Sequence, residues 1–376
     1  MKRTLAALLC VCALLPSAAH AAAPQAEAAA AVLMEKETGA LLYEQDAHDK
    51  REPASVTKIM TLLLVMEALE EGRLALTDQI AVSAHAASMG GSQVYLKEGE
   101  RMGAGELIKA EAGVSGNDAA VALAEHIAGS ESAFVSRMNE KAAQLGMADT
   151  NFVNCTGLPA AGHLTSAYDI ALMSRELILR HPQVREYTTI WMDTIRDGQF
   201  QLANTNRLVR FYEGCTGLKT GFTTSALYCL SATAEREGME LIAVVLGAPT
   251  SAQRFTAAQD LLTYGFANYT LVDVRPGQAI PPVAVSLGTS ETVQPVLGES
   301  SRILVEKARL DQVSTDLRLT DAVEAPVEAG QKLGELVVTA GGETLRTIPL
   351  VAHEGVDRIT VPGLFFRLIR TLFLSG

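Results

Sequence analysis

The sequence contains few residues that could hold a metal or a cross-link. Of its 376 residues, five are cysteine and seven are histidine, and the histidines form neither an HExxH nor an HxH cluster. Beyond the first two dozen residues only Cys155, Cys215 and Cys229 remain. Their odd number excludes complete pairing within the chain, and their spacing matches no zinc site. We expect no metal and no cofactor, and we interpret these cysteines mainly as small buried hydrophobes, with one disulfide as the open alternative.

Basic residues are also in short supply. The chain has 31 lysines and arginines against 43 aspartates and glutamates, which gives a net charge of −12. A surface that binds phosphates normally has an excess of basic residues. The sequence therefore argues against nucleic acid as a partner.

The apolar run near the start of the chain is too short to remain in a bilayer as a spanning helix. It covers residues 5–15, follows Lys2 and Arg3, and precedes the small-residue sequence Ala-His-Ala at 19–21. This order of basic, apolar and small residues predicts a secretory signal peptide over residues 1–21. The protein is therefore expected to be exported, and the alternative is an amino-terminal membrane anchor.

Strand patterns at both ends of the region up to residue 268 enclose a block of helix patterns. Residues 31–35 and 40–44 are short apolar runs joined by a turn that contains glycine, which predicts a β-hairpin. Apolar residues at helical spacing and further strand patterns follow. They predict helices over 55–69, 119–127, 132–145, 167–179 and 252–266, and strands over 227–234 and 239–246. We therefore expect one α/β (α+β) domain over residues 28–268, with an antiparallel sheet flanked by helices on both faces.

From residue 269 onward the helical periodicity disappears, and the chain becomes rich in valine with frequent glycine and proline. This change predicts a small all-β domain over residues 269–361. Its expected strands cover 271–274, 283–286, 301–305 and 336–339. Nothing in this region looks catalytic, and its role as a spacer or a docking platform stays open.

The last residues, 362–376, have the pattern of an amphipathic helix. The apolar and polar side chains fall on opposite faces: on one side Leu364, Phe365, Leu368, Ile369, Leu372 and Phe373, on the other Arg367, Arg370 and Thr371. A cationic helix of this kind suits a membrane surface, and it is too short and too charged to span one. The alternative is a terminal helix that docks on the protein itself.

The most specific chemical signal is Ser55-Val-Thr-Lys58. Serine is a poor nucleophile until a base removes its proton. Residues i and i+3 of a helix share a face, so we expect Lys58 beside the Ser55 hydroxyl. Pro53 and the onset of apolar periodicity place Ser55 at a helix amino terminus, where backbone N–H groups favour developing negative charge. Lysine acts as a base only when it is neutral, and burial together with a second cation, Lys219, would lower its pKa.

A second triplet, Ser115-Gly-Asn117, lies between two predicted helices. The Ser115 hydroxyl would relay a proton between lysine and a leaving amine, and the Asn117 amide would orient a substrate carbonyl. By itself the triplet is also typical of an ordinary turn, with Asp118 as the cap of the next helix.

A third triplet, Lys219-Thr-Gly221, opens a predicted strand. Lys219 and Thr220 would hold a terminal carboxylate by charge and hydrogen bond. Gly221 would let a substrate backbone approach the strand edge closely. Alone, this triplet is equally typical of a turn.

In this order the three motifs resemble the defining motifs of penicillin-binding proteins and serine β-lactamases. The segments around them, residues 53–60, 115–120 and 217–223, most resemble the low-molecular-mass D-alanyl-D-alanine carboxypeptidases of the peptidase S11 type, and the similarity extends over nearly the whole mature chain. The resemblance implies these roles: Ser55 as acylated nucleophile, Lys58 as base, Ser115 and Asn117 as the second element, Lys219, Thr220 and Gly221 as substrate-binding residues, and the backbone N–H groups of Ser55 and Phe222 as oxyanion hole.

The same resemblance implies the partners and the place of action. They are peptidoglycan stem peptides ending in D-Ala-D-Ala, β-lactams as covalent inhibitors, and the outer face of the cytoplasmic membrane, reached through the tail helix. One departure concerns Phe222, since some family members carry histidine there, but a backbone role survives that change. Arg254 stays unassigned between anion binding and support of the fold.

Two alternatives are weighed against this interpretation. A class A β-lactamase needs a glutamate downstream of the second motif to activate water for deacylation, and residues 149–155 contain none. We therefore expect penicillin to acylate Ser55 and to leave slowly. A non-catalytic peptide-binding protein of the envelope is the other alternative, and the intact Ser55, Lys58, Ser115 and Lys219 argue against it.

Overall fold

The computed structural model describes residues 23–374, so the predicted signal peptide lies outside the described residues. Before residue 269 the helices are α1 (Lys58–Glu70), α2 (Ala84–Ala87), α3 (Ala104–Val114), α4 (Asn117–Ala128), α5 (Glu131–Gln144), α6 (Ala167–Arg180), α7 (Arg185–Thr188), α8 (Leu208–Phe211) and α9 (Ser251–Asn268). The strands are β1 (Ala30–Glu35), β2 (Leu41–Gln45), β3 (Gln79–Ala81), β4 (Arg101–Gly103), β5 (Met192–Ile195), β6 (Phe200–Ala203), β7 (Cys215–Thr223), β8 (Leu227–Arg236) and β9 (Met239–Ala248). Two 3-10 turns cover Ala54–Thr57 and Pro182–Val184.

A five-stranded antiparallel sheet organises this first domain. Its strand order is β2-β1-β9-β8-β7, so the hairpin from the start of the chain pairs with the hairpin from the end of the domain. Helices cover both faces, which makes β9 an almost continuous buried apolar run. Val244 packs into the core on the side of α1 and α6, and Val245 packs into the core beneath α9. The predicted antiparallel sheet with helices on both faces is confirmed.

Helix α1 lies at the centre of the helical layer and contacts α3, α4, α5 and α6. Every side chain from Lys58 to Met66 is buried, a wider buried surface than the apolar stripe that the sequence predicts, because neighbours surround the helix. The structure also moves the start of the helix. Ser55 lies in the 3-10 turn Ala54–Thr57, and the α-helix begins only at Lys58.

The second part of the chain is built from short strands, as the sequence predicts. They are β10 (Tyr269–Asp273), β11 (Val283–Ser286), β12 (Thr292–Val293), β13 (Pro295–Leu297), β14 (Arg302–Glu306), β15 (Val313–Leu319), β16 (Ala322–Glu324), β17 (Lys332–Ala340) and β18 (Glu343–Ala352), with a 3-10 turn at Lys307–Gln312. A four-stranded sheet has the order β13-β18-β17-β15, and a three-stranded sheet has the order β12-β11-β16. Val285 from one sheet and Leu333 from the other share an apolar core.

The chain ends in helix α10 (Val361–Leu374), where the sequence predicts a helix. Phe365 and Phe366 are exposed, and the Arg367 guanidinium donates to the carbonyl oxygens of Gly288 and Thr289 at 2.8 and 2.9 Å. The side chains of residue 368 and of residues 370–374, which carry the rest of the predicted amphipathic pattern, lie outside the described part. Among the described residues, no helix combines the length and apolar character that crossing a membrane requires.

The three cysteines in the described residues are free thiols. Cys155 and Cys229 are buried, and Cys215 is partly buried. Burial raises the pKa of each thiol, so all three stay protonated near neutral pH. This matches their interpretation as small buried hydrophobes, and the alternative of a disulfide is wrong for the described chain.

Candidate active site

The first motif brings its serine and lysine together. The Lys58 Nζ atom lies 3.1 Å from the Ser55 Oγ atom. The same nitrogen donates to Asn117 Oδ1 at 2.6 Å and to the Thr156 carbonyl oxygen at 2.7 Å. These three contacts fix the side chain at the first residue of α1, directly beneath the serine.

Burial changes the acid–base properties of Lys58. The side chain is fully buried, and the loss of water around it lowers its pKa from 10.5 to about 8. Nearby Glu111, Cys155 and Asp118 oppose this shift. A lysine with this pKa is neutral in a substantial fraction of molecules at mildly alkaline pH, so it can accept a proton. Of the two causes expected from the sequence, burial lowers the Lys58 pKa, whereas the repulsion between the two lysines lowers the pKa of Lys219 instead.

The second motif forms the junction between α3 and α4. Ser115 ends α3 with a left-handed backbone, at a φ of 66°, and its buried Oγ atom has no hydrogen-bond partner among the described residues. Asn117 starts α4, and its Nδ2 atom donates to the Gly90 carbonyl oxygen at 2.7 Å. With Oδ1 on Lys58 and Nδ2 on Gly90, the amide joins the base to the loop before α3.

Asp118 does more than cap a helix. Its Oδ2 atom accepts hydrogen bonds from the backbone N–H groups of Val94 and Leu96, each at 3.0 Å. It therefore holds the loop between α2 and β4 against the start of α4. Arg196, in the turn between β5 and β6, donates to the Val94 carbonyl oxygen of the same loop at 2.8 Å.

The third motif lies on β7, the edge strand of the sheet next to β8. Lys219 is fully buried, and its Nζ atom donates to the Thr220 carbonyl oxygen at 3.1 Å. Burial lowers the Lys219 pKa well below 10.5, and the positive charge of Lys58 lowers it further. The Thr220 hydroxyl lies 2.7 Å from the hydroxyl of Thr205, which belongs to the segment between β6 and α8.

Gly221 allows β7 to approach the turn that carries the serine. A Cβ atom at this position would lie 2.8 Å from the Pro53 carbonyl oxygen and 3.0 Å from the Ser55 backbone nitrogen. Such distances leave no space for a methyl group against backbone atoms. Close packing therefore explains why position 221 is glycine. The role of Gly221 in admitting a substrate backbone stays a prediction.

The opposite side of the serine turn is held by the loop between α5 and α6. A Cβ atom on Gly157 would overlap the Ala54 carbonyl oxygen, so only glycine fits there. His163 Nε2 lies 2.8 Å from the Thr57 hydroxyl, and its Nδ1 atom accepts from the Val153 N–H at 3.0 Å. Burial lowers the His163 pKa to about 4, so the ring is neutral and its Nε2–H donates to Thr57.

All three motifs therefore meet at one site, and the chain also matches known sequences over nearly its whole length. Residues 17–250 match the family model described as D-alanyl-D-alanine carboxypeptidase, peptidase S11, and residues 274–358 match the model of the C-terminal domain of penicillin-binding protein 5. The chain belongs to the D-alanyl-D-alanine carboxypeptidase family.

Individual members of the carboxypeptidase family are similar in sequence and in structure. The D-alanyl-D-alanine carboxypeptidase DacF of Bacillus subtilis is 41% identical over 372 residues, which cover 95% of each chain. The crystal structure of penicillin binding protein 5 from Haemophilus influenzae is 30% identical, covers 89% of this chain and 99% of that one, and superposes with a TM-score of 0.82. Penicillin-Binding Protein D2 of Listeria monocytogenes, solved in an ampicillin-bound form, is 35% identical over 64% of this chain and 98% of its own, with a TM-score of 0.59.

These findings confirm the predicted family, fold class and enzyme class of this carboxypeptidase. They favour a serine-type peptidase of the penicillin-binding kind over the β-lactamase and the non-catalytic alternatives. The three motifs occupy different elements, the turn before α1, the junction of α3 and α4, and β7, and this fold brings them together.

Three residues at the carboxypeptidase site were missed or left unassigned by the sequence analysis. Thr205 contacts Thr220 across the site. The Arg254 guanidinium, on α9, donates to the carbonyl oxygens of Gly221 and Cys229 at 2.9 and 3.3 Å, which supports β7 from the far face of the sheet. Neither contact leaves a sequence signal, since both join segments far apart in the chain.

Glu111 is the third missed residue, and it does leave a sequence signal. It lies on α3 one helical turn before Ser115, in a segment whose other side chains are mostly small or apolar. The side chain is fully buried, and neither carboxylate oxygen has a hydrogen-bond partner among the described residues. Burial raises the Glu111 pKa from 4.5 to about 8, while Lys58 and Lys219 act to lower it.

The side chain of Phe222 points away from this buried cluster. It is 52% exposed and packs on Tyr228 with ring centroids 4.4 Å apart. This placement is compatible with a role of the backbone alone at position 222, which the family resemblance implies, and that role stays a prediction.

Proposed function

We propose that this carboxypeptidase removes the terminal D-alanine from peptidoglycan stem peptides that end in D-Ala-D-Ala, through an acyl-enzyme on Ser55. The observation that carries the proposal is the 3.1 Å contact between Ser55 Oγ and Lys58 Nζ, because burial gives that lysine a pKa of about 8. A neutral Lys58 takes the serine proton while Oγ attacks the carbonyl carbon of the penultimate D-alanine.

The acylation step transfers one proton and breaks one bond. The backbone N–H groups of Ser55 and Phe222 stabilise the tetrahedral oxyanion. The proton passes from Lys58 through the Ser115 hydroxyl to the nitrogen of the leaving D-alanine, and the C–N bond breaks. Water then attacks the serine ester while Lys58 accepts a proton from it, and Lys58 returns that proton to the Ser55 oxygen as the ester bond breaks and the shortened peptide is released.

The rest of the site holds the substrate. Lys219 in its cationic form and the Thr220 hydroxyl bind the terminal carboxylate of the peptide, and the Asn117 amide orients its backbone. Gly221 keeps β7 against the serine turn, so the carboxylate and the scissile carbonyl are presented together. β-Lactams enter the same site and acylate Ser55.

The place of action and the division of the chain belong to the same proposal. Residues 1–21 act as a signal peptide, residues 28–268 form the catalytic domain, and residues 269–361 form the all-β domain. The helix over residues 362–376 attaches the enzyme to the outer face of the cytoplasmic membrane. The exposed Phe365 and Phe366 support this attachment, since apolar side chains at a helix surface enter the acyl boundary of a lipid layer.

The decisive experiment measures D-alanine released from a diacyl-Lys-D-Ala-D-Ala peptide. We expect steady release by the wild-type enzyme and none above background by Ser55→Ala. The matched control is Ser314→Ala, a serine in β15 far from the site along the chain, which should release D-alanine at the wild-type rate. Rapid turnover of a chromogenic cephalosporin by the wild-type enzyme would contradict the proposal, because it would indicate a β-lactamase.

A further inference from the structure

Glu111 is a buried acid that the proposed mechanism does not use. It is fully covered by protein and fixed on α3, one turn before Ser115. Neither of its oxygens accepts a hydrogen bond within the described residues. A buried carboxyl group without partners is costly to keep, since its ionised form loses water and gains no hydrogen bond. Structural support of the fold therefore gives no reason for an acid at this position.

The position of α3 brings this carboxyl group to both lysines of the site. Helix α3 packs against α1, which carries Lys58. At its other side the Gly113 carbonyl oxygen accepts from the Thr205 N–H at 3.0 Å, and the Thr205 hydroxyl contacts Thr220 beside Lys219. The carboxyl group therefore acts electrostatically on Lys58 and on Lys219 alike.

In the described part of the structure, none of the other charged or titratable groups that face Lys58 and Lys219 supplies a negative charge to both of them, as Glu111 does. Asp118 on α4 acts on Lys58, but its carboxylate is already bonded to the N–H groups of the loop at 94–96. The Cys155 thiol stays protonated because burial raises its pKa well above 9.0. Arg254 on α9 acts on Lys219 as a third cation. Glu111 is thus the acid that acts on both lysines within the described part of the chain.

We propose that Glu111 is a positioning residue that supplies the shared counter-charge of Lys58 and Lys219 and sets the pH range in which the enzyme works. The proposal rests on the proposed function, in which Lys58 must be neutral while Lys219 must be positively charged. Two cations in one buried site repel each other, and the ionised form of Glu111 favours the protonated form of both, just as the two lysines favour its ionisation. Without that anion, both lysines would lose their protons at lower pH.

The sign of the expected pH effect follows from these charges. The two limbs of the kcat/KM profile report the coupled loss of protons from Lys58 and Lys219, which titrate as a pair in one buried site. Removing the negative charge lowers the pKa of each lysine. The whole bell-shaped profile should therefore move to lower pH, by about one pH unit for a neighbouring buried charge.

The test compares Glu111→Gln and Glu111→Leu with the wild-type enzyme. The readouts are the pH profile of D-alanine release and the pH dependence of the rate at which a β-lactam acylates Ser55. Both variants should move both profiles to lower pH to the same extent, because the charge and not a hydrogen bond is lost. The control is Glu240→Gln, a buried acid paired with Lys36 and Arg185, which should leave both profiles at the wild-type pH even if it lowers stability.

Several results would overturn the inference and leave the proposed function intact. These are wild-type profiles in both variants, a move to higher pH, or failure of both variants to fold, which would give Glu111 a purely structural role. Failure of the wild-type enzyme to release D-alanine at any pH would instead sink the proposed function. The two failures are therefore distinguishable.

Discussion

The two domains of this carboxypeptidase bury different kinds of side chain. In the catalytic domain the buried set includes Lys58, Glu111 and Lys219, each almost or fully inaccessible to water. Within the described residues from 269 to 361, every buried side chain is uncharged and apolar. Since a charge loses its hydration on burial, a core made only of apolar side chains avoids the free-energy cost of burying ionisable groups.

The β domain shows that this chain can form compact cores without buried ions. Lys58, Glu111 and Lys219 cluster at the candidate site, where perturbed pKa values are useful, whereas a buried acid such as Glu240 is paired with Lys36 and Arg185.

The largest effect is expected at a fully buried lysine, compared with an exposed lysine of the β domain. Lys58→Met removes the proposed base but keeps an unbranched buried side chain, and it should lower kcat/KM for D-alanine release by about 10³-fold. Lys332→Met removes an exposed lysine of β17, whose partner Glu335 lies 3.3 Å away at the surface, and it should leave kcat/KM unchanged. Steady-state kinetics on folded proteins, verified by circular dichroism, gives both values. If Lys58→Met kept its kcat/KM within tenfold of the wild-type value, the claim that the buried lysine serves catalysis would be contradicted.

A smaller effect is expected from a comparison of two glycines that both lack space for a methyl group. Gly221→Ala pushes a methyl group against the Pro53 carbonyl oxygen and the Ser55 nitrogen, so it should misplace the serine and lower kcat/KM by about 10²-fold. In Gly334→Ala the new Cβ atom would lie 2.3 Å from the Arg318 carbonyl oxygen, which should lower the Tm but spare kcat/KM. Kinetics and thermal unfolding of both variants separate the outcomes. An equal loss of activity in both would show that the β domain also shapes the site.

The smallest effect concerns an ion pair that joins the two domains. Arg302 Nη1, on β14, lies 2.9 Å from Glu37 Oε2, in the turn between β1 and β2. Both side chains are partly exposed, so Arg302→Ala should reduce the free energy of unfolding by only about 0.5 kcal/mol and leave D-alanine release unchanged. Denaturant unfolding provides the first value. A loss of several times that size would mean that the domains support each other far more than their exposed contact indicates.

Much of the site could be predicted because its chemistry is local in sequence. The spacing of Ser55 and Lys58 places them together in any helical turn, and the observed 3-10 turn at Ala54–Thr57 followed by α1 preserves that contact. The hairpins and the longer helices were also predictable, because their apolar periods of two and 3.6 residues persist over several turns or pairs.

The parts that could not be predicted depend on contacts between distant segments. The packing of Gly221 against the Ser55 turn joins residues more than 150 positions apart, and no local pattern records it. Glu111 was overlooked for a related reason. An acid on an apolar helix can be explained by exposure, and only the folded structure shows that Glu111 is buried and acts electrostatically on two lysines.

The most direct test of the account is the mass of the enzyme after incubation with a β-lactam, followed by mapping of the modified peptide. We predict one adduct per molecule, located at Ser55, long-lived in the wild-type enzyme and absent from Ser55→Ala. An adduct at another residue, or no adduct in folded wild-type enzyme, would contradict the claim that the buried Lys58 activates this serine.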